Sequence, residues 1–118
     1  MIKKVLNYRN NMIGKTVEVI IDRPIGSRHP KYKDTVYPVN YGYIEGITAG
    51  DGEEQDAYVL GINHAVKAFT GRVIAVIHRD GDTEEKWVIA PDGVRFSEEE
   101  IRKQVNFQEK YFKYSILL

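Results

Sequence analysis

Short apolar runs alternate with turn residues along most of the chain, and the dominant period is two. Residues 16–21 are largely β-branched, with Val17, Val19 and Ile21 on one face and Glu18 and Ile20 on the other. Arg23, Pro24, Ile25, Gly26 and Ser27 end that strand, because proline cannot donate to a ladder and glycine loosens the backbone. Further extended segments are predicted at 37–47, 56–62, 71–78 and 86–90. The last two flank Arg79, Asp80, Gly81 and Asp82, which read as a hairpin loop. One helix is well signalled. Ser97 is a good N-cap, Glu100 completes a capping box, and Phe96 with Ile101 can form a hydrophobic staple. Ile101, Val105 and Phe112 then recur on one face.

Five short strands and one terminal helix predict a mainly β (α+β) fold: a small closed barrel with the C-terminal helix packed on it. The domain is expected to run over 12–118, and 1–11 reads as an N-terminal extension. With 118 residues, about two thirds of the unfolded surface can be buried, enough for a core without disulfides. There is no cysteine, which excludes thiolate zinc sites, thiol nucleophiles and redox motifs. The 17 basic and 17 acidic residues cancel, which argues against nucleic acid or an anionic membrane as a bulk electrostatic partner. Apolar stretches fall short of a membrane span and the first residues lack the apolar block of a signal peptide, so a cytoplasmic location is expected.

Neutrality hides an asymmetry. Arg23, Arg28, Lys31 and Lys33 stand with His29 in a stretch free of acids, whereas Asp51, Glu53, Glu54 and Asp56 crowd into six residues. Carboxylates spaced on a glycine turn can converge on a hard cation; they equally make a solvated acidic loop. Within 37–43, alternation puts Tyr37, Val39, Tyr41 and Tyr43 on one face and Asn40 and Gly42 on the other. Such phenols and an amide can donate to phosphate oxygens, or simply rim a core. Further on, Glu84 and Lys86 share one side of a strand and Glu85 and Trp87 the other, so a carboxylate and an ammonium can share one face. Asp80 and Asp82 also suit ordinary turn chemistry. His29, His64 and His78 have no metal-site spacing.

Taken in order, these stretches resemble the family I soluble inorganic pyrophosphatases. The family's Tyr-Pro-x-Asn-Tyr-Gly-Tyr segment is complete at Tyr37, Pro38, Asn40, Tyr41, Gly42 and Tyr43. Its Asp-x-Asp-Pro-x-Asp motif corresponds to Asp51, Gly52, Glu53, Glu54, Gln55 and Asp56, and its hairpin aspartate, Asp-x-Lys and proline to Asp80, Glu84, Lys86 and Pro91. The likeness covers about 15–111 and implies a five-stranded OB-like barrel. The chain is shorter than typical bacterial members; glutamates stand at 53 and 84 where the family has aspartate, and Tyr111 is followed by Phe112 where the family has lysine.

The resemblance implies an inorganic diphosphatase that hydrolyses magnesium pyrophosphate to two phosphates by a metal-activated water. Asp51, Asp56 and Glu84, with Asp80, would bind Mg²⁺ (or Mn²⁺ or Co²⁺), and Glu18 would hold metal through water. Glu53 would orient the attacking water or take its proton. Arg28, Lys31, Tyr41, Lys86 and Tyr111, with Arg23 as a further regional candidate, would clamp the phosphates. Family relatives commonly form hexamers, so a homo-oligomer, hexameric or smaller, is expected. Two other readings stay open: a hydrolase of another small phosphoanhydride, and an OB-like barrel whose tyrosines stack on single-stranded nucleic acid.

Overall fold

In a computed structural model, the described residues are 12–50, 52–81 and 83–118, so the expected N-terminal extension, Asp51 and Asp82 lie outside them. Among them, six strands and one helix follow in order: β1 (Thr16–Arg23), β2 (Asn40–Thr48), β3 (Glu54–Val59), β4 (Ala68–Arg79), β5 (Glu85–Ala90), α1 (Glu98–Glu109) and β6 (Tyr114–Leu117). The sheet order is β1-β2-β3-β5-β4-β6, and a further β1–β4 pairing closes the first five strands into a barrel. β6 lies outside that ring. Only β3 and β5 run parallel; the other pairs are antiparallel.

Closure depends on the length of β4. Its first half pairs with β1, from Thr16↔Arg72 to Ile20↔Ala68, and its second half with β5, from Arg72↔Ala90 to His78↔Glu85. A register shift between Val73 and Ala75 bends the strand between these duties. Gly42 allows the tight approach of β2 to β1, since a β-carbon there would run into the Ile20 carbonyl. The glycine of the tyrosine-rich segment is thus a packing necessity.

Alternation along the strands sorts side chains into two layers. Val19, Ile21, Ile44, Ala57, Val59, Val73, Val76, Trp87 and Ile89 fill the barrel interior. The opposite faces carry Tyr41, Tyr58, Ala75, Ile77 and Val88, which join Tyr37, Val39 and Leu60 beneath Ile101 and Val105 of the helix. The Ser97 capping box is formed: the Ser97 hydroxyl accepts from Glu100 N–H, and the Glu100 carboxylate accepts from Ser97 N–H at 2.8 Å. That bonding holds the Glu100 carboxyl below the usual carboxylate range.

Two expectations need correction. Phe112 does not continue the helical stripe, because α1 ends at Glu109 and the chain turns, with Phe112 N–H donating to the Glu109 carbonyl. The turn frees 114–117 to pair with the outer edge of β4 as a sixth strand, from Val76↔Leu117 to Arg79↔Tyr114. Among the described residues, no helix is long and apolar enough to cross a membrane.

Candidate active site

The outer layer opens at one end into a cleft of about 860 Å³. The segment after β1 supplies one wall, with His29, Lys31, Tyr32, Lys33 and Asp34. The end of α1 and the following turn supply the other, with Phe107, Gln108, Tyr111 and Phe112. The barrel strands form the floor: Arg23 from β1, Tyr41 from β2, Asp56 from β3, Arg79 from β4, and Glu84 and Lys86 at the start of β5.

Lys86 is the centre of that floor. Asp56 and Lys86 lie on the outer faces of the neighbouring strands β3 and β5, in phase with Tyr58 and Val88. The ammonium donates to Asp56 Oδ2 at 2.6 Å and to Glu84 Oε1, and sits 5.8 Å from the Tyr41 ring centre. It is 3% exposed, too buried to be an ordinary surface charge. Burial works against its charge, but Tyr41, Asp56 and Glu84 outweigh burial and hold its pKa above the ordinary lysine range. Tyr41 is displaced upward by burial, so its phenol is a neutral donor at physiological pH.

Beside Lys86 lies a second cation. Arg79 Nε and Nη2 donate to the two carboxylate oxygens of Glu109 at 2.9 and 2.8 Å, and Nη1 is 3.5 Å from Glu84 Oε2. Glu109 is wholly buried and also accepts from Tyr58 Oη at 2.6 Å. The network runs on: Gln108 donates to Tyr58 Oη at 2.7 Å, Tyr37 donates to Gln108 Oε1 at 2.8 Å, and Arg23 donates to Tyr37 Oη at 2.6 Å. Phe112 covers the Arg79 guanidinium at 3.8 Å. Burial opposes the charge of Arg79, while Glu109 and Glu84 raise its pKa above the ordinary arginine value. Arg79 is therefore permanently charged and fixed in direction.

On the loop wall, His29 Nδ1 accepts from Lys31 and Tyr32 N–H groups at 3.0 and 3.1 Å, which leaves the ring proton on Nε2. Burial, Arg23 and Lys31 lower its pKa, so the imidazole is neutral at pH 7. Asn40 is not available to a ligand. Its Oδ1 accepts from Ile25 N–H and its Nδ2 donates to the His64 carbonyl, both at 3.0 Å, pinning two loops to β2.

Of the residues proposed from sequence, Lys31, Tyr41, Asp56, Glu84, Lys86 and Tyr111 line the cleft. Glu18, Arg28, Glu53 and Asp80 do not: all four are exposed, Glu18 on β1 opposite Thr70, Arg28 donating to the Lys33 carbonyl, Glu53 just before β3, and Asp80 after β4. Asp51 lies outside the described residues. Sequence reasoning missed Arg79, Tyr32 and Phe112 in the cleft and Glu109 behind it. Two of these had a signal. Arg79 is in phase with Ala75 and Ile77, and Glu109 continues the Ile101–Val105 stripe by one more step of four. A charged residue in phase with a buried stripe implies a buried partner.

Among the described residues, no three His, Asp or Glu side chains converge as a metal cage. Asp56 and Glu84 nevertheless suit Mg²⁺ in donor type. Magnesium is commonly held by one or two carboxylates together with substrate phosphates and water.

Neither a family model nor a curated protein matches the sequence. Solved structures do match. An inorganic pyrophosphatase from Ehrlichia chaffeensis superimposes with a TM-score of 0.65 at 22% identity, covering 87% of this chain and 85% of that one. One from Helicobacter pylori gives 0.63 at 19% identity, over 87% and 84%. One from Neisseria gonorrhoeae gives 0.61 at 22% identity, over 83% and 74%. The closed barrel with its packed helix is thus a fold that this chain shares with these bacterial inorganic pyrophosphatases.

Proposed function

We propose that the chain hydrolyses a phosphoanhydride, with inorganic pyrophosphate as the simplest substrate, in the cleft between β1–β5 and the end of α1. The observation that carries the reading is the cleft floor, where buried Lys86 and Arg79 stand beside Asp56 and Glu84. Permanent cations fixed by their own partners are suited to phosphoryl oxygens, on which negative charge is spread during transfer. Because Lys86 and Arg79 are held in place before any ligand arrives, little reorganisation is needed when that charge develops. Lys31 and Arg23, with the phenols of Tyr41 and Tyr111, would bind the outer oxygens and orient the leaving phosphate.

Asp56 and Glu84, with Asp51 from the sequence motif, would hold a Mg²⁺ brought in on the phosphates; that ion supplies charge neutralisation and acidifies water at the site. Ligand phosphates would also take over Lys86, releasing both carboxylates for that duty. Glu53 is the residue proposed to orient water, from the sequence motif alone.

The test is phosphate release from pyrophosphate with Mg²⁺, Mn²⁺ or Co²⁺ against a chelator control, in the wild-type chain and in Asp56→Asn. Metal-dependent release is expected, reduced about 10²–10³-fold in the variant, which is the usual effect of removing one group that stabilises the transition state. A folded wild-type protein that releases no phosphate with any of the three metals would overturn the reading.

A further inference from the structure

A pyrophosphate ion presents only oxygen at its surface, yet the mouth of this cleft is aromatic. Among the described residues, five large hydrophobic side chains are exposed. Three of them, Tyr32 (58%), Tyr111 (68%) and Phe112 (43%), line this one cleft. Leaving ring faces in water costs free energy that burial against a ligand would recover. Two of the rings also stand next to a lysine: Lys31 Nζ is 5.4 Å from the Tyr32 ring centre and Lys110 Nζ is 5.3 Å from that of Tyr111. The rim therefore pairs π-faces with cations, and the floor beneath it offers Arg79 and Lys86.

Size points the same way. At about 860 Å³ the cleft is in the upper part of the roughly 300–1,000 Å³ range of sites that enclose drug-sized ligands. Pyrophosphate would leave most of it to water. A ligand that uses both parts has a polyanionic end for the floor and a flat ring for the rim.

We propose that the cleft takes a nucleoside 5′-polyphosphate, with its phosphates on the Lys86–Arg79 floor and its base against Tyr32 and Tyr111. This rests on the reading of the cleft as a phosphoanhydride site and names the substrate class. Hydrolysis would add one water across a P–O–P bond. The water oxygen joins the terminal phosphorus, the bridging oxygen leaves with its bonding electron pair on the shortened nucleotide, and the proton passes to solvent at neutral pH. A single-stranded nucleic acid would also offer bases and phosphates. It calls for platforms spaced along a continuous basic groove, whereas these rings gather at one mouth and the chain has no net charge.

The experiment compares binding of ADP and methyl diphosphate, which carry the same diphosphate with and without a nucleoside, by calorimetry in Mg²⁺. A base on an aromatic platform should make ADP at least tenfold tighter, and Tyr32→Ala should bring the ratio of the two affinities towards one. Tyr111→Ala should act in the same direction, and Tyr111→Phe, which keeps the ring, should restore the ratio. Equal affinities in the wild-type chain, or a ratio indifferent to both tyrosines, would overturn the proposal. So would an octanucleotide that binds more tightly than ADP, which would make the cleft a nucleic-acid groove. Phosphate release from pyrophosphate and from ATP is measured alongside. Base-dependent ADP binding with no release from either would sink the hydrolase reading and the hydrolytic step proposed here, leaving a nucleotide-binding cleft, whereas hydrolysis without base dependence would sink only the nucleotide proposal.

Discussion

The two sides of the barrel wall are built by different rules. Inside, Val19, Ile44, Val59, Val73, Trp87 and Ile89 make a core of apolar side chains held by close packing. Outside, under the helix, the same strands carry Tyr41 and Tyr58, joined by Tyr37 from the segment before β2, against buried Glu109, Arg79 and Lys86. A purely apolar outer layer would be the simpler way to seat a helix, since a buried ion pair recovers little of its desolvation cost. The charges instead lie where the layer opens to the cleft; the hydrogen-bonded chain from Arg23 to Arg79 fixes those two guanidinium groups, and Asp56 with Glu84 fixes Lys86. The inner layer makes the fold, and the outer one aims the site.

That contrast can be broken at its most charged point. Glu109→Ala leaves Arg79 buried without its main partner and removes an acceptor from Tyr58. A loss of about 3–5 kcal/mol is expected, read as a lower denaturation midpoint. A companion double variant, Arg79→Met with Glu109→Leu, should recover most of that stability while weakening pyrophosphate binding. Stability restored together with full binding would show that the pair serves packing only.

A smaller effect is expected within the same network. Tyr58→Phe removes the hydroxyl that donates to Glu109 and accepts from Gln108, and should cost about 1–3 kcal/mol in chemical denaturation. Ile89→Val, on the inner side, removes one methylene group and should cost about 0.5–1.5 kcal/mol without touching ligand affinity. If the inner variant changed affinity as much as the outer one, the division of labour would not hold.

The pH dependence is smaller still near neutrality. Lys86 has a folded-state pKa above its unfolded value, so its stabilisation is fully present below the ordinary lysine pKa and disappears only as pH rises through the shifted one. Its contribution to thermal stability should therefore be flat around neutral pH and fall in strong alkali. Comparing alkaline unfolding of wild type with Lys86→Met checks this, since the variant should lack that component.

How much could be read from sequence follows the same boundary. Period-two alternation predicts the five barrel strands because each carries short apolar runs bounded by turn residues, and Ser97 with Glu100 announces the helix start through local backbone chemistry. The short β6 escaped because Phe112 stands one step of seven after Val105 and imitates a longer helix; only the turn after Glu109 reveals otherwise. Glu84 and Lys86 were legible as a shared face, and Asp56 as part of the acidic turn. Arg79 and Glu109 each carry a signal of burial, in phase with an apolar stripe, but their pairing was hidden because they meet across 30 residues of chain. Tyr32 and Tyr111 also come from opposite walls, and no local spacing relates them.

The central claim is that buried cations on the outer layer form the phosphate site. Calorimetric titration of pyrophosphate into wild type and Lys86→Met, with the fold of each verified by circular dichroism, tests it most directly. The account predicts binding to the wild type and at least tenfold weaker binding to a folded Lys86→Met, in keeping with the loss of a charge-assisted hydrogen bond of about 1.5–3 kcal/mol. Equal affinity in the two folded proteins would contradict it.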